Sequence, residues 1–414
     1  MTAAVLCTGT ELTRGELVNS NATWLAEALT ALGLEVGAVD AVDDHSERIV
    51  RALERLGNEH AVLVCTGGLG PTTDDLTSEC VARLLGVPLV RDEASLAVIR
   101  ARIERAGRTM AASNAKQADF PRGATILANP NGTAPGFSVK LGRAAAFFLP
   151  GVPLEMKAMF SASVAPAIEP LVGDKSHQTL LRTFGLPESE VNDRLSGIEA
   201  ARGVTLGYRA RLPEIEVKIL ARAPNREEAR AHAEAAAAEV RARLGDEVVY
   251  GEGDTSLAEV VCRLLEARSH TLAVAESCTG GLVAELVTNV PGASRSFLGG
   301  VVSYANSAKT ELLGVEPALL EAHGAVSAEV ARAMAEGARR RFASSFGLGV
   351  TGIAGPDGGS AEKPVGLVHW AVAGDGNVTA KHAVFIGNRE QVRRRAAFAA
   401  LALVRRVVRE LTRP

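Results

Sequence analysis

Aromatic residues make up only 4% of this 414-residue chain, and its five cysteines, Cys7, Cys65, Cys80, Cys262 and Cys278, include no CxxC pair and no His/Cys cluster. That usage indicates neither a zinc site nor a disulfide framework. No apolar run approaches the ~20 residues that a membrane span needs. The N-terminal stretch Met1 to Leu6 lacks a charged leader and breaks at Gly9, so it reads as a first strand rather than a signal peptide. Cytoplasmic residence follows by default. Neither sign of charge dominates: 45 Lys and Arg stand against 48 Asp and Glu, a net charge of −3, which does not describe a surface that seeks nucleic acid. One basic cluster, Arg393, Arg394 and Arg395 followed by Arg405, Arg406 and Arg409, alternates with apolar residues at helical spacing and reads as a solvated helix face.

What is present is an ordinary globular composition, 47% apolar and 22% charged. At roughly 150 residues per domain the length predicts two or three domains, each able to bury its own core. Over the first 150 residues, short apolar runs alternate with amphipathic stretches: Ala3 to Cys7, Thr23 to Leu32, Glu35 to Val39, Glu47 to Leu56, Ala61 to Cys65 and Leu76 to Leu85. This βαβα rhythm predicts an α/β domain, a parallel sheet with helices on both faces, whose ligands bind beyond the carboxyl ends of the strands. Two loops fall at such ends. One contains Glu11. The other runs from Thr66 to Thr77, where Gly67, Gly68 and Gly70 allow close backbone approach to a phosphate, Thr72 offers a hydroxyl, and Asp74 and Asp75 either hold a divalent cation or cap the next helix.

From about 173 to 253 the pattern predicts a small α+β domain, with Arg209, Arg211 and Glu216 read as surface charges rather than a phosphate or metal site. A third domain, 255–414, holds the densest chemistry. The apolar run Thr271 to Ala275 is followed by Glu276-Ser277-Cys278-Thr279-Gly280-Gly281 and then by helical spacing, a strand-turn-helix corner that can point N–H groups and a hydroxyl at one spot. Ser277 is a nucleophile only if something removes its proton. No histidine falls in a strand-end loop, and there is no GxSxG elbow. Lys309 is the better base, usable once its pKa is depressed from about 10.4, with Tyr304 placed to relay or orient the proton. The alternative is a strand-end tyrosine and a helix-surface lysine without chemistry.

The motifs GTELTRGELVNSN, TGGLGPTTDD, NPNGTAPGF and LPGVPLEM in the first 170 residues, and AESCTGG, GGVVSYAN with Lys309, HGAVS and TGIAGPDGGSAEKPVG in the last 160, are similar in order and content to the CinA family along the full chain. The resemblance implies a molybdopterin-binding-like domain over 1–170, a connecting domain over 173–253 and a nicotinamide mononucleotide deamidase domain over 255–414. It implies Ser277 as nucleophile, activated by Tyr304 and Lys309. The backbone N–H groups of Cys278, Thr279 and Gly280 would receive the oxyanion, Gly281 would also contact substrate, and Thr351, Gly352 and Gly355 would border the nicotinamide or ribose. Gly358, Gly359 or Arg389 would meet the 5′-phosphate. No cofactor is implied for the deamidase. For the first domain the resemblance implies either metal-dependent ADP-ribose pyrophosphatase activity, with a divalent metal at Asp74 and Asp75, or binding of a pterin or nucleotide without turnover. The implied partners are nicotinamide mononucleotide, ADP-ribose and a second copy in a homodimer, with no direct nucleic acid contact and no membrane.

Overall fold

A computed structural model describes residues 1–410. The chain divides into two compact units, residues 1–177 with 221–231, and residues 178–220 with 232–414. The architecture mixes helices with three main sheets.

In the first unit a six-stranded sheet runs in the order Glu35–Val42, Thr2–Thr8, Val62–Thr66, Ala144–Leu149, Gly136–Leu141, Thr125–Leu127. The first four strands are parallel, and the last two pairings are antiparallel. The expected parallel strands thus take the first four positions of the sheet, and an antiparallel pair extends it at one edge. The cause is local: only Gly142 and Arg143 separate Gly136–Leu141 from Ala144–Leu149, and a two-residue connection can join antiparallel strands but not parallel ones. Helix Ser46–Glu59 buries Ile49, Leu53 and Leu56 at helical spacing against one face of the sheet. Helix Ser20–Ala31, capped by the Asn19 side chain, buries Leu25 and Leu29 against the other. Each such side chain contributes about 1.5–3 kcal/mol on burial.

In the second unit, strands Val204–Arg211, Glu214–Ala223, Lys175–Thr183 and Val249–Glu252 form a four-stranded sheet in that order. The third sheet has five strands, in the order Phe297–Val302, Leu272–Glu276, Phe346–Gly352, Leu367–Ala373, Val378–Val384. Its first three strands are parallel and its last two pairings antiparallel. The long helix Arg389–Glu410 and helix Leu257–Glu266, whose N-terminus is capped by Ser256, pack into one core with Leu272, Val274, Leu348 and Val350. Helix Ala328–Phe342 buries Val330, Met334 and Ala338 on the other side. The sheet is thus covered on both faces, and its parallel strands end together at one rim. Among the described residues, no helix is long and apolar enough to cross a membrane.

Candidate active site

Strand Leu272–Glu276 is buried along its whole length, between the two other parallel strands of its sheet. Its rim residue is Ser277, whose N–H donates to Val350 O at 2.9 Å, which keeps the turn level with the end of the neighbouring strand. The chain then reverses through Gly280 and Gly281, with φ of +59° and +93°, into helix Leu282–Thr288. Both angles lie where a Cβ is costly, which accounts for the paired glycines.

The second parallel strand, Phe297–Val302, is in register with the first, Val302 opposite Glu276, and Ser303 N–H donates to Glu276 O at 2.8 Å. Helix Asn306–Leu313 follows at once and turns Lys309 inward, so that this lysine is only 1% exposed. Lys309 Nζ lies 3.2 Å from Ser277 Oγ, 2.8 Å from Ser303 O and 3.3 Å from Tyr304 O. Among the described residues no carboxylate forms an ion pair with it, and burial lowers its pKa from the ordinary lysine value. Lys309 Nζ donates to all three oxygens, and once deprotonated its lone pair is within reach of the Ser277 hydroxyl proton. Ser277 is 8% exposed.

Tyr304 contributes differently from the expected relay. Its ring is exposed and its hydroxyl accepts from Arg389 Nη2 at 2.8 Å, while Arg389 Nη1 donates to Gly355 O at 2.8 Å. What Tyr304 gives Lys309 is a main-chain carbonyl, so the lysine reaches the serine without the phenol. Arg389, Tyr304 and Gly355 are brought together beside the serine corner. Thr351 is buried with its hydroxyl donating to Ala325 O at 2.7 Å, a bond that anchors the segment before Ser327, and Gly352 ends the same strand. Gly358 and Gly359 sit in an exposed turn closed by Ser360 N–H to Lys363 O at 2.9 Å, and no hydrogen bond ties them to Ser277.

The turn's donors are not all free. Gly280 N–H donates to Ser277 O at 3.1 Å and Gly281 N–H to the Glu276 carboxylate at 3.0 Å. The N–H of Gly280, one of the expected oxyanion donors, is thus engaged within the turn. Those of Cys278 and Thr279 have no carbonyl or carboxylate partner among the described residues, and the acceptor beside them is the weak Cys278 sulfur. Burial pushes the Cys278 thiol up to about 12, so it stays protonated and is no competing nucleophile. No histidine bonds Ser277 among the described residues. His369 and His382 stack across two strands, His270 packs edge-on to Phe346, and His323 is the last residue of helix Pro317–His323.

In the first unit a cavity of about 460 Å³ opens at the strand ends, lined by Glu11, Gly67, Gly68, Gly70, Thr72, Asp74 and Asp75 among others. These predicted residues are brought together, and Asp44 and Glu155 join them. Asp75 accepts from Thr72 N–H at 2.8 Å and Thr72 Oγ1 at 2.6 Å, and Asp74 accepts from Thr73 Oγ1 at 2.9 Å. Neither caps the next helix, Thr77–Leu85, which starts at Leu76 without a side-chain cap. Among the described residues no group of three His, Cys, Asp or Glu is set to hold a metal ion. The carboxylates therefore do not form a closed protein cage.

Of the predicted surface charges of the small domain, Arg209 and Arg211 are exposed as expected, and Glu216 is corrected. Glu216 is fully buried, facing inward from strand Glu214–Ala223, with Arg209 at 2.6 Å, Arg182 at 3.2 Å and Arg211 at 3.7 Å around it. Of the three arginines that engage this carboxylate, Arg182 is buried, while Arg209 and Arg211 reach it from the surface.

Residues 4–170 match the family described as probable molybdopterin binding domain, residues 178–251 the damage-inducible protein CinA KH domain, and residues 254–408 the CinA C-terminal domain. A CinA-like protein of Anaeromyxobacter dehalogenans strain 2CP-C is 46% identical over 415 residues, 99% of this chain and 100% of the relative. The chain belongs to the CinA family. A second CinA-like protein, from Geobacter sulfurreducens, is 44% identical over 98% of this chain and 99% of its own. Among solved structures, a competence/damage inducible protein CihA from Agrobacterium tumefaciens is 38% identical, covering 37% of this chain and 97% of that one with a TM-score of 0.36. The protein CinA of unknown function from Thermoplasma acidophilum is 34% identical, covering 41% and 97% with a TM-score of 0.37.

Four site residues of this CinA chain escaped sequence reasoning. Glu276 falls in the corner stretch with no role assigned to it, although an acid shortly before a helix start is a signal for capping. Arg393 reads as solvated helix face, yet its Nε and Nη2 both donate to Thr279 O, at 3.2 and 2.7 Å. Its neighbour in that predicted face, Arg405, is buried on the carbonyls of Asp246, Glu247 and Val249. Asp44, which accepts from Thr10 N–H and Oγ1, and Glu155, which accepts from Asn129 Nδ2, are each far in sequence from the glycine loop they face.

Proposed function

We propose that the C-terminal domain hydrolyses the carboxamide of nicotinamide mononucleotide to nicotinate mononucleotide and ammonia. The observation that carries this reading is the buried Lys309 amine 3.2 Å from Ser277 Oγ, with its pKa depressed by burial. Lys309 takes the serine proton as Oγ attacks the amide carbon. The carbonyl oxygen gains the negative charge and is received by the N–H groups of Cys278 and Thr279. Collapse breaks the C–N bond, Lys309 returns the proton to the leaving nitrogen, and ammonia departs from an acyl-serine. Water, deprotonated by the same lysine, releases the acid and restores Ser277. Arg389, half turned to Tyr304 and Gly355, supplies the cation for the 5′-phosphate. Purified protein releases ammonia from nicotinamide mononucleotide and Ser277→Ala abolishes it; activity retained by that variant would falsify the nucleophile assignment.

We infer that the N-terminal domain cleaves the pyrophosphate of ADP-ribose with a divalent metal. What favours this reading is the cavity's wall, which carries Glu11, Asp44, Asp74, Asp75 and Glu155 and no lysine or arginine. Such a wall repels a bare pyrophosphate, so the ligand enters as a complex with cations. Asp74, the less engaged of the two loop aspartates, would hold the ion, which screens the phosphate charge when bound. AMP is expected from ADP-ribose only with added divalent cation, and not from Asp74→Ala. Calorimetric binding without turnover would replace this reading with simple ligand binding.

A further inference from the structure

We propose that Glu276 is a positioning residue for the chemistry at Ser277, holding the serine turn so that Cys278 and Thr279 alone supply the oxyanion donors. The inference rests on the amide-hydrolysis reading of this site and assigns it a residue that reading does not use.

Glu276 is fully buried, and among the described residues no lysine or arginine forms an ion pair with its carboxylate. Its negative charge is met by backbone alone. Oε2 accepts from Gly281 N–H and Val283 N–H, both at 3.0 Å, and Oε1 from Ala284 N–H at 2.9 Å. These are the donors that helix Leu282–Thr288 would otherwise turn toward an anion. A helix end left open beside a hydrolytic serine would attract the carboxylate product as readily as the transition state. With Glu276 seated there, it offers neither a phosphate nor a carboxylate a place to settle.

The main chain of the same residue works on the other side. Glu276 O accepts Ser303 N–H at 2.8 Å, and Ser303 O in turn accepts from Lys309 Nζ at 2.8 Å. One residue thus fixes the serine turn through its side chain and the base through its backbone, without touching substrate. The peptide between Thr279 and Gly280 is held at both ends, its carbonyl by Arg393 and its N–H by Ser277 O. Only the two preceding N–H groups remain to receive charge.

Glu276→Gln tests this, because it keeps the volume but replaces one accepting oxygen with an NH₂ that meets an N–H donor. The expected result is a fall of about 100-fold in kcat for ammonia release, the scale of losing one aligned oxyanion donor. KM for nicotinamide mononucleotide stays unchanged, and the calorimetric affinity for nicotinate mononucleotide does not fall. A fluorophosphonate probe supplies a reading independent of the pyridine substrate, since Ser277 Oγ bonds to phosphorus as fluoride leaves and charge builds on oxygen in the same place. Its labelling rate should fall by a similar factor. Should Glu276→Gln fail to fold, Glu276→Asp, which keeps the charge on a shorter stem, is expected to show the same loss of kcat without loss of affinity. Wild-type kcat and labelling in these variants overturn the proposal. So does an affinity that falls as steeply as kcat, which would assign the carboxylate to the fold alone. Wild-type protein that is labelled yet inert toward nicotinamide mononucleotide removes the amide reading and leaves the labelling test of Glu276 standing.

Discussion

Replacing Lys309 with methionine separates the two things this side chain does. The stem is kept and Nζ is lost, so the base disappears while the packing around a residue of 1% exposure is largely preserved. General-base catalysis contributes 10²–10⁴-fold, so a loss near 10³ in kcat/KM, about 4 kcal/mol of transition-state stabilisation, is expected. Stability moves little at neutral pH. The carbonyls of Ser303 and Tyr304 lose a donor, at about 1 kcal/mol each, and the cost of burying an amine is lost with it. The pH dependence carries the sign. Burial depresses the folded-state pKa of Lys309, so between that value and the unfolded value of about 10.4 the unfolded chain binds more protons, and stability rises with pH across that window. Below the folded pKa the full penalty is present. Urea melts near neutrality and near pH 10 should therefore show a rise in wild-type stability that Lys309→Met lacks, while kcat/KM of the wild type rises with pH to a plateau reached below the ordinary lysine range. A methionine variant keeping a tenth or more of the activity would refute the assignment.

Two further outcomes follow from the same corner. Tyr304→Phe removes an acceptor from Arg389 but leaves the carbonyl that binds Lys309, so KM should rise by about fivefold, the scale of one partly exposed hydrogen bond, with kcat nearly unchanged; a collapse of kcat in steady-state assays would restore the phenol as a proton relay. Cys278, its thiol pushed up to about 12 by burial, should resist iodoacetamide at neutral pH, and mass spectrometry showing rapid alkylation there would contradict the buried geometry.

The rim of the third sheet was legible in sequence because its chemistry is written in short contiguous runs. The apolar strand, the Ser277 turn with its two glycines, and Lys309 one turn into the next helix are all local features, and the CinA motifs fall on them. What was not legible depends on distance. Glu276 and Arg393 act on the same turn from 117 positions apart, and nothing in the arginine-rich run distinguishes Arg393, which caps a carbonyl, from Arg394, which pairs with Glu390 at the surface. Glu216 was misjudged for a related reason. Strand alternation groups it with Lys218 and Arg222, opposite the apolar Ile215, Val217 and Ile219, and only the folded sheet shows that Arg182 and Arg209 cover it there. In the first unit the short Gly142-Arg143 link already implied a hairpin, and the βα rhythm of the preceding hundred residues outweighed it.

Ser277 and Lys309 are spaced by a hydrogen-bonded ladder, Glu276 opposite Val302, and the strand that carries Lys309's side of that ladder is the edge strand of its sheet. Edge strands open at lower cost than the core they border. Turnover is therefore a thermometer for one strand: warming should silence the serine while the buried centre of the sheet, and the spectroscopic signal it dominates, are still intact.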